Sequence, residues 1–196
     1  MHTKEEIKAN PAIFENIKII NVADMLTLSP INPKVMVDVT MMNLESRFYL
    51  LNSSSSELRN AIPGAYVKNI EEATLQIQKY IDKMVFYDSL LYTIRLKSNQ
   101  IPIGYIILNS PLCRNNLHEW SLDFWISKEY EGKRIMASSL LEVLGHMQDM
   151  EIGNVYAMVD DINHRSKSLL EKLGFGFINT HENSGKNLIL YGLRLN

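Results

Sequence analysis

Apolar positions along this chain change their spacing several times, and each change marks an element. Met25-Leu-Thr-Leu-Ser29 alternates as a strand buried on one face does, and Pro30 and Pro33 end it. The 24 residues before it carry no such pattern and read as an N-terminal extension. Val35 to Asn52 reads as a helix, and the run Ser53 to Ser56 reads as a loop leading to Leu58 and Ile62, stopped by Pro63-Gly64. Asn69 is a good N-cap, and Ala73, Ile77 and Ile81 recur behind it at helical spacing, which predicts a helix over 69–81.

The texture then turns to strands. Leu90 to Leu96 and Ile103 to Leu108 flank a turn at Ser98-Asn-Gln100, so they form an antiparallel hairpin, and Leu117 to Ile126 supplies a third strand. Met136, Leu140, Val143, Leu144 and Met147 share one face of a helix that starts near Arg134. Asn154 to Val159 is a short strand, and Asn163 to Leu173 a helix closed by Gly174. Phe175 to Ile178 and Leu188 to Tyr191 are two last strand candidates. The order predicts an α+β fold, antiparallel in its first half and strand-helix-strand in its second. With no repeats and no second composition, residues 1–196 read as one domain.

Composition narrows the function classes. A formal net charge of −2 argues against a surface built for a nucleic-acid backbone. The first residues are acidic where a secretion signal needs a basic start, and no long apolar run offers a membrane span, so the expected location is the cytoplasm. Cys113 is the single cysteine, and the five histidines show no pair at metal-ligand spacing, so no metal site is expected.

The stretch from Ser127 to Met136 carries the candidate chemistry. A strand running directly into a helix aims the helix's first free amides at one spot beside the sheet, and that spot attracts anions. Gly132 lets the backbone approach a ligand, and Lys133 and Arg134 add positive charge. The loop alone fits a solvated turn as well as a diphosphate site, because it lacks the spacing of the usual nucleotide-binding loops.

Taken together, Leu122 to Met136 and Asn163 to Phe175 resemble the GNAT superfamily of acyl-CoA-dependent N-acyltransferases, closest to the branch that acetylates ribosomal-protein N-termini. The resemblance is specific from Leu90 onward and looser before it. It implies a mostly antiparallel twisted central sheet flanked by helices, acetyl-CoA as cosubstrate, and a primary amine as acceptor. It assigns the cosubstrate to Trp125, Ile126, Glu131, Gly132, Lys133, Arg134, Ile135, Met136 and Ala137, with Asn163 on the pantetheine arm and Ser166 near the thioester sulfur. The family's loop pattern falls on Glu131, Arg134 and Met136; the first two depart from it, and a positive φ at residue 134 costs a non-glycine about 1 kcal/mol.

The family's catalytic carboxylate position is Ser121 here. Glu119 and Asp123 lie one strand repeat to either side, about 7 Å away on the same face. Glu119 is the first candidate base, with or without a water, and Asp123 the second. Baring a lysine amine at neutral pH costs about 4–5 kcal/mol, an α-amine only about 1 kcal/mol, so the missing standard base favours a peptide or protein N-terminus. Met84, Phe86 and Tyr87 are candidates for an acceptor groove, and a homodimer is left open. The alternative is a scaffold module of the same fold that binds CoA weakly and catalyses nothing, which Glu131, Arg134 and Ser121 would favour.

Overall fold

The computed structural model describes residues 14–15, 17–31, 33, 39–53, 66–113, 119–183 and 185–195. In chain order they form β1 (Ile20–Val22), β2 (Leu26–Pro30), α1 (Val39–Ser53), α2 (Ile70–Val85), β3 (Ser89–Leu96), β4 (Pro102–Asn109) and β5 (Ser121–Ile126). A single 3₁₀ turn at Lys128–Tyr130 leads to α3 (Ile135–Asp149), followed by β6 (Asn154–Asp160), α4 (His164–Lys172), β7 (Gly176–Asn183) and β8 (Lys186–Arg194). The strands make one sheet in the order β1-β2-β3-β4-β5-β6-β8-β7, antiparallel at every pairing except β5 with β6.

Both faces of the sheet are covered, which is why β4 is buried at every residue and β3 at all but its last. Leu91, Tyr105 and Ile107 pack with Phe48 of α1 and Ile77 of α2 on one face. Leu90, Ile106, Leu108 and Leu122 pack with Leu140 and Val143 of α3 and Leu170 of α4 on the other. Neighbouring residues point to opposite faces, so β5 presents Leu122 to the α3 layer and Asp123 to the α2 layer.

One polar group is sealed into the α1 layer. Glu45 and Arg95 form an ion pair with both side chains at most 1% exposed. Tyr105 Oη donates to Glu45 over 2.6 Å, and Arg95 Nη1 donates to the Gln100 carbonyl over 2.8 Å. This group fixes α1 over β3 and β4 and sets Tyr105 edge-on against Trp125, 4.8 Å between ring centres.

The mixed fold and its mostly antiparallel sheet are as expected from the sequence. Differences lie at element ends. β1 falls inside the N-terminal extension, too short for alternation to register. Helix α2 continues past Ile81 to Val85, and β5 begins at Ser121, later than Leu117. The tail strands run longer than their apolar cores, through polar exposed residues such as Thr180 and Glu182. The stretch at Leu58 to Gly64 and the predicted helix start at Val35 lie outside the described residues. Among the described residues, no helix is long and apolar enough to cross a membrane.

Candidate active site

Strands β5 and β6 meet at one register pair, Ser121 with Tyr156, where the Tyr156 amide donates to the Trp120 carbonyl over 2.8 Å. Beyond that pair they part. Further along, β6 is held on its other side by β8 through seven register pairs and β5 by β4 through six. The sheet therefore opens in a V whose inner edges run from Leu122 to Ile126 and from Ala157 to Asp160. At about 3.3 Å per residue, each edge offers more than 10 Å of backbone to an extended ligand.

The loop at the wide end of this V is shaped by two left-handed residues, Gly132 at φ 73° and Arg134 at φ 61°. Arg134 is the N-cap of α3 and makes no side-chain capping bond, and the first turn carries no acidic residue. The amides of Ile135, Met136 and Ala137 thus point out of the helix end with no intrahelical partner. Helix α2 is the contrast: Asn69 accepts from the Glu72 amide over 2.9 Å, and Glu72 in turn accepts from the Lys68 amide over 2.8 Å. One helix start is filled by its own side chains and the other is open to an anion. Lys133 stands nearby, its Nζ 5.2 Å from the Tyr130 ring centre.

At the other arm of the V, Asn163 Oδ1 caps α4 by accepting from the Ser166 amide over 3.1 Å. The capping role uses the oxygen and leaves the Asn163 amide nitrogen as a donor, so cap and ligand contact are compatible. Ser166 is half-buried one turn in. Glu131 forms an ion pair with Arg165 of α4, a residue that the sequence reading did not single out.

Of the two carboxylates expected on the strand, Glu119 precedes β5 and is exposed, while Asp123 sits within it. Asp123 Oδ2 accepts from Asn109 Nδ2 over 2.9 Å. Burial raises its carboxyl pKa, against the Asn109 bond and the Lys83 charge, which lower it. Solvent still reaches the side chain. Asp123 is thus a solvent-reached carboxyl, crowded by protein, on the wall that β5 forms. Tyr80 of α2 is close enough to feel that charge: burial first, then Asp123, pushes its hydroxyl up to about 12, so it stays protonated at neutral pH. Ser121, beside them, is buried. Asn109 and Tyr80 were missed from sequence because each continues an apolar stripe, Asn109 after Ile107 on β4 and Tyr80 one turn past Ile77 on α2, and so reads as packing; the β4–β5 register, which pairs Asn109 with Ser121, is the signal that finds Asn109.

A cleft of about 440 Å³ opens beside this wall, lined by Lys83, Phe86, Asp88, Leu112 and Cys113. Phe86 is 74% exposed there, whereas Met84 and Tyr87, expected with it, are packed against the core. Cys113 Sγ lies 3.8 Å from Asn109 Oδ1, so one side chain, Asn109, links the cleft to Asp123. Burial raises the Cys113 thiol, which keeps it protonated and weakly nucleophilic.

Solved structures share this architecture. RimL, a ribosomal L7/L12 α-N-protein acetyltransferase in complex with coenzyme A, is 18% identical with a TM-score of 0.74, over 91% of this chain and 98% of that one. The acetyltransferase from Salmonella typhimurium that modifies the N-terminal serine of L7/L12 is 16% identical with a TM-score of 0.66, over 91% of this chain and 100% of the other. The microcin C7 self-immunity acetyltransferase MccE, in complex with acetyl-CoA and AMP, is 18% identical with a TM-score of 0.66, over 88% and 94%. At these identities the likeness is one of fold. No curated protein matches the sequence. The model of the acetyltransferase (GNAT) domain matches residues 41–176, which take in both arms of the V, the loop and helices α3 and α4. The protein belongs to the GNAT acetyltransferase family.

Proposed function

We propose that this protein transfers the acetyl group of acetyl-CoA to a primary amine by direct attack on the thioester, preferring the α-amine of a peptide or protein N-terminus over a lysine side chain. The observation that carries this is the conjunction of the V between β5 and β6 with an uncapped helix start at its wide end and, on its wall, the solvent-reached Asp123 carboxyl held by Asn109.

When bound, acetyl-CoA supplies an activated acyl group and a thiol leaving group. The chain's own residues supply the rest. The amides of Ile135 to Ala137 and the dipole of α3 hold the diphosphate, with Lys133 and Arg134 beside them. The inner strand edges and the Asn163 amide nitrogen bond the amides of the arm. Asp123 takes the proton from the incoming amine, directly or through water. Its raised pKa brings it nearer the operating pH, where a general base works best. Asn109 fixes one carboxylate oxygen and leaves the other for the amine. Tyr80 presents a hydroxyl that remains a donor, and Ser166 orients the departing sulfur or donates a proton to it as it leaves as a thiolate.

The preference for an α-amine rests on proton cost. Freeing an α-amine at neutral pH takes about 1 kcal/mol and a lysine about 4–5 kcal/mol. A single partly solvated aspartate suits the smaller task. The scaffold alternative drew on Glu131, Arg134 and Ser121; of these, the Glu131 carboxylate is engaged by Arg165.

Thiol release from acetyl-CoA, measured against peptides with free and blocked N-termini, each with and without lysine, tests this. Turnover should follow the free α-amine. Turnover that follows lysine alone removes the acceptor preference, and no release with any amine removes the catalytic reading.

A further inference from the structure

Glu131 and Arg165 stand on opposite arms of the V. Glu131 closes the 3₁₀ turn after β5, and Arg165 lies in the first turn of α4, which follows β6. Because the strands part after the Ser121–Tyr156 pair, the ion pair joining these residues crosses the mouth of the opening. Any ligand whose charged end rests on the α3 amides and whose arm runs between the strands must pass this contact.

The contact is easily opened. Arg165 is 81% exposed and Glu131 33% exposed, and a pair so open to water and salt is held weakly. A phosphate is the better partner for a guanidinium, since it carries more charge and accepts the same forked hydrogen bonds. A carboxylate left among phosphates, by contrast, repels them. Glu131 therefore fits its site when the V is empty and opposes the ligand when it is filled, whereas Arg165 gains by changing partner.

We propose that Arg165 is a phosphate-binding residue of the acetyl-CoA site, stored on Glu131 in the empty protein and passed to a cosubstrate phosphate as the V fills. This rests on the acetyl-CoA reading above and adds to it a binding residue outside the loop. The exchange makes Glu131 a competitor of the ligand. It also confines the effect of both residues to ligands that carry phosphate.

Calorimetric titration of the whole protein with acetyl-CoA, 3′-dephospho-acetyl-CoA and S-acetylpantetheine tests the exchange, using Arg165→Gln, Arg165→Lys and Glu131→Gln. Arg165→Gln should weaken acetyl-CoA about tenfold, with Arg165→Lys between it and wild type. Glu131→Gln should tighten acetyl-CoA about threefold. S-acetylpantetheine should bind all four proteins within about twofold, because it offers Arg165 no phosphate. If the Arg165→Gln penalty vanishes with the dephospho compound, the partner is the 3′-phosphate; if it persists, the partner is the diphosphate. Unchanged acetyl-CoA binding by Arg165→Gln, an equal loss with S-acetylpantetheine, or weaker binding by Glu131→Gln overturns the exchange. A wild-type protein that binds none of the three ligands overturns the acetyl-CoA reading itself, and the exchange with it.

Discussion

Asn109 donates its side-chain amide to Asp123 Oδ2 over 2.9 Å, joining the end of β4 to the middle of β5 on the face that looks toward α2. The bond leaves Asp123 one oxygen for a substrate proton and holds the carboxylate in a fixed rotamer. Asp123→Asn keeps the shape and removes the base. It should lower kcat about 10²- to 10⁴-fold with little change in acetyl-CoA affinity, whereas Glu119→Gln, ahead of the strand, should leave kcat within about twofold.

The same substitution has a stability signature of known sign. Burial raises the folded-state pKa of Asp123, so its ionised form costs stability above that pKa, and the cost disappears below the unfolded value of about 3.9. Asp123→Asn should therefore melt higher than wild type at pH 7, and the difference should shrink to nothing as the pH falls to about 4. Melting curves across that range check it.

His146 acts in the opposite sense. It is buried near the end of α3, and neither ring nitrogen has a hydrogen-bond partner among the described residues. Burial, then Lys18, lowers its pKa, with Asp149 pulling the other way. A depressed folded pKa gives stability that is present above the unfolded value of about 6.5 and lost as pH falls below it. His146→Leu should flatten the melting temperature between about pH 7.5 and 5.5, where the wild type declines.

Glu45 and Arg95 are more costly to separate than to replace together. Arg95→Met strands a carboxylate that is 0% exposed and should cost about 3–5 kcal/mol in urea unfolding. Glu45→Leu combined with Arg95→Met should recover most of that loss, because two apolar side chains need no partner.

Arg134 holds a left-handed conformation that glycine adopts freely. Arg134→Gly should stabilise the empty protein by about 1 kcal/mol and shrink the stabilisation that acetyl-CoA confers. The melt without acetyl-CoA should rise, and the further rise that acetyl-CoA adds should be smaller than in wild type.

The fold was legible wherever burial imposes a period. Ala73, Ile77 and Ile81 on α2, and Met136, Leu140, Val143, Leu144 and Met147 on α3, are the buried faces that their spacing marks. Exposed polar residues in β7 carry no such pressure, so its length was hidden. Alternation placed Glu119, Ser121 and Asp123 in one row, yet it could not show that pairing begins at Ser121, because strand ends are set by a neighbour's hydrogen bonds. The contacts that distinguish Asp123 and Glu131 span 14 and 34 residues of chain. Such pairings depend on how strands register and where helices land, which no local pattern records.

Amide hydrogen exchange, followed by mass spectrometry with and without saturating acetyl-CoA, reports most directly on where the cosubstrate sits. Slower exchange is expected at the amides of residues 135–137 and along the inner edges of β5 and β6, with α2's self-capped start unchanged. Exchange in those segments that is indifferent to acetyl-CoA would contradict a cosubstrate seated in the V.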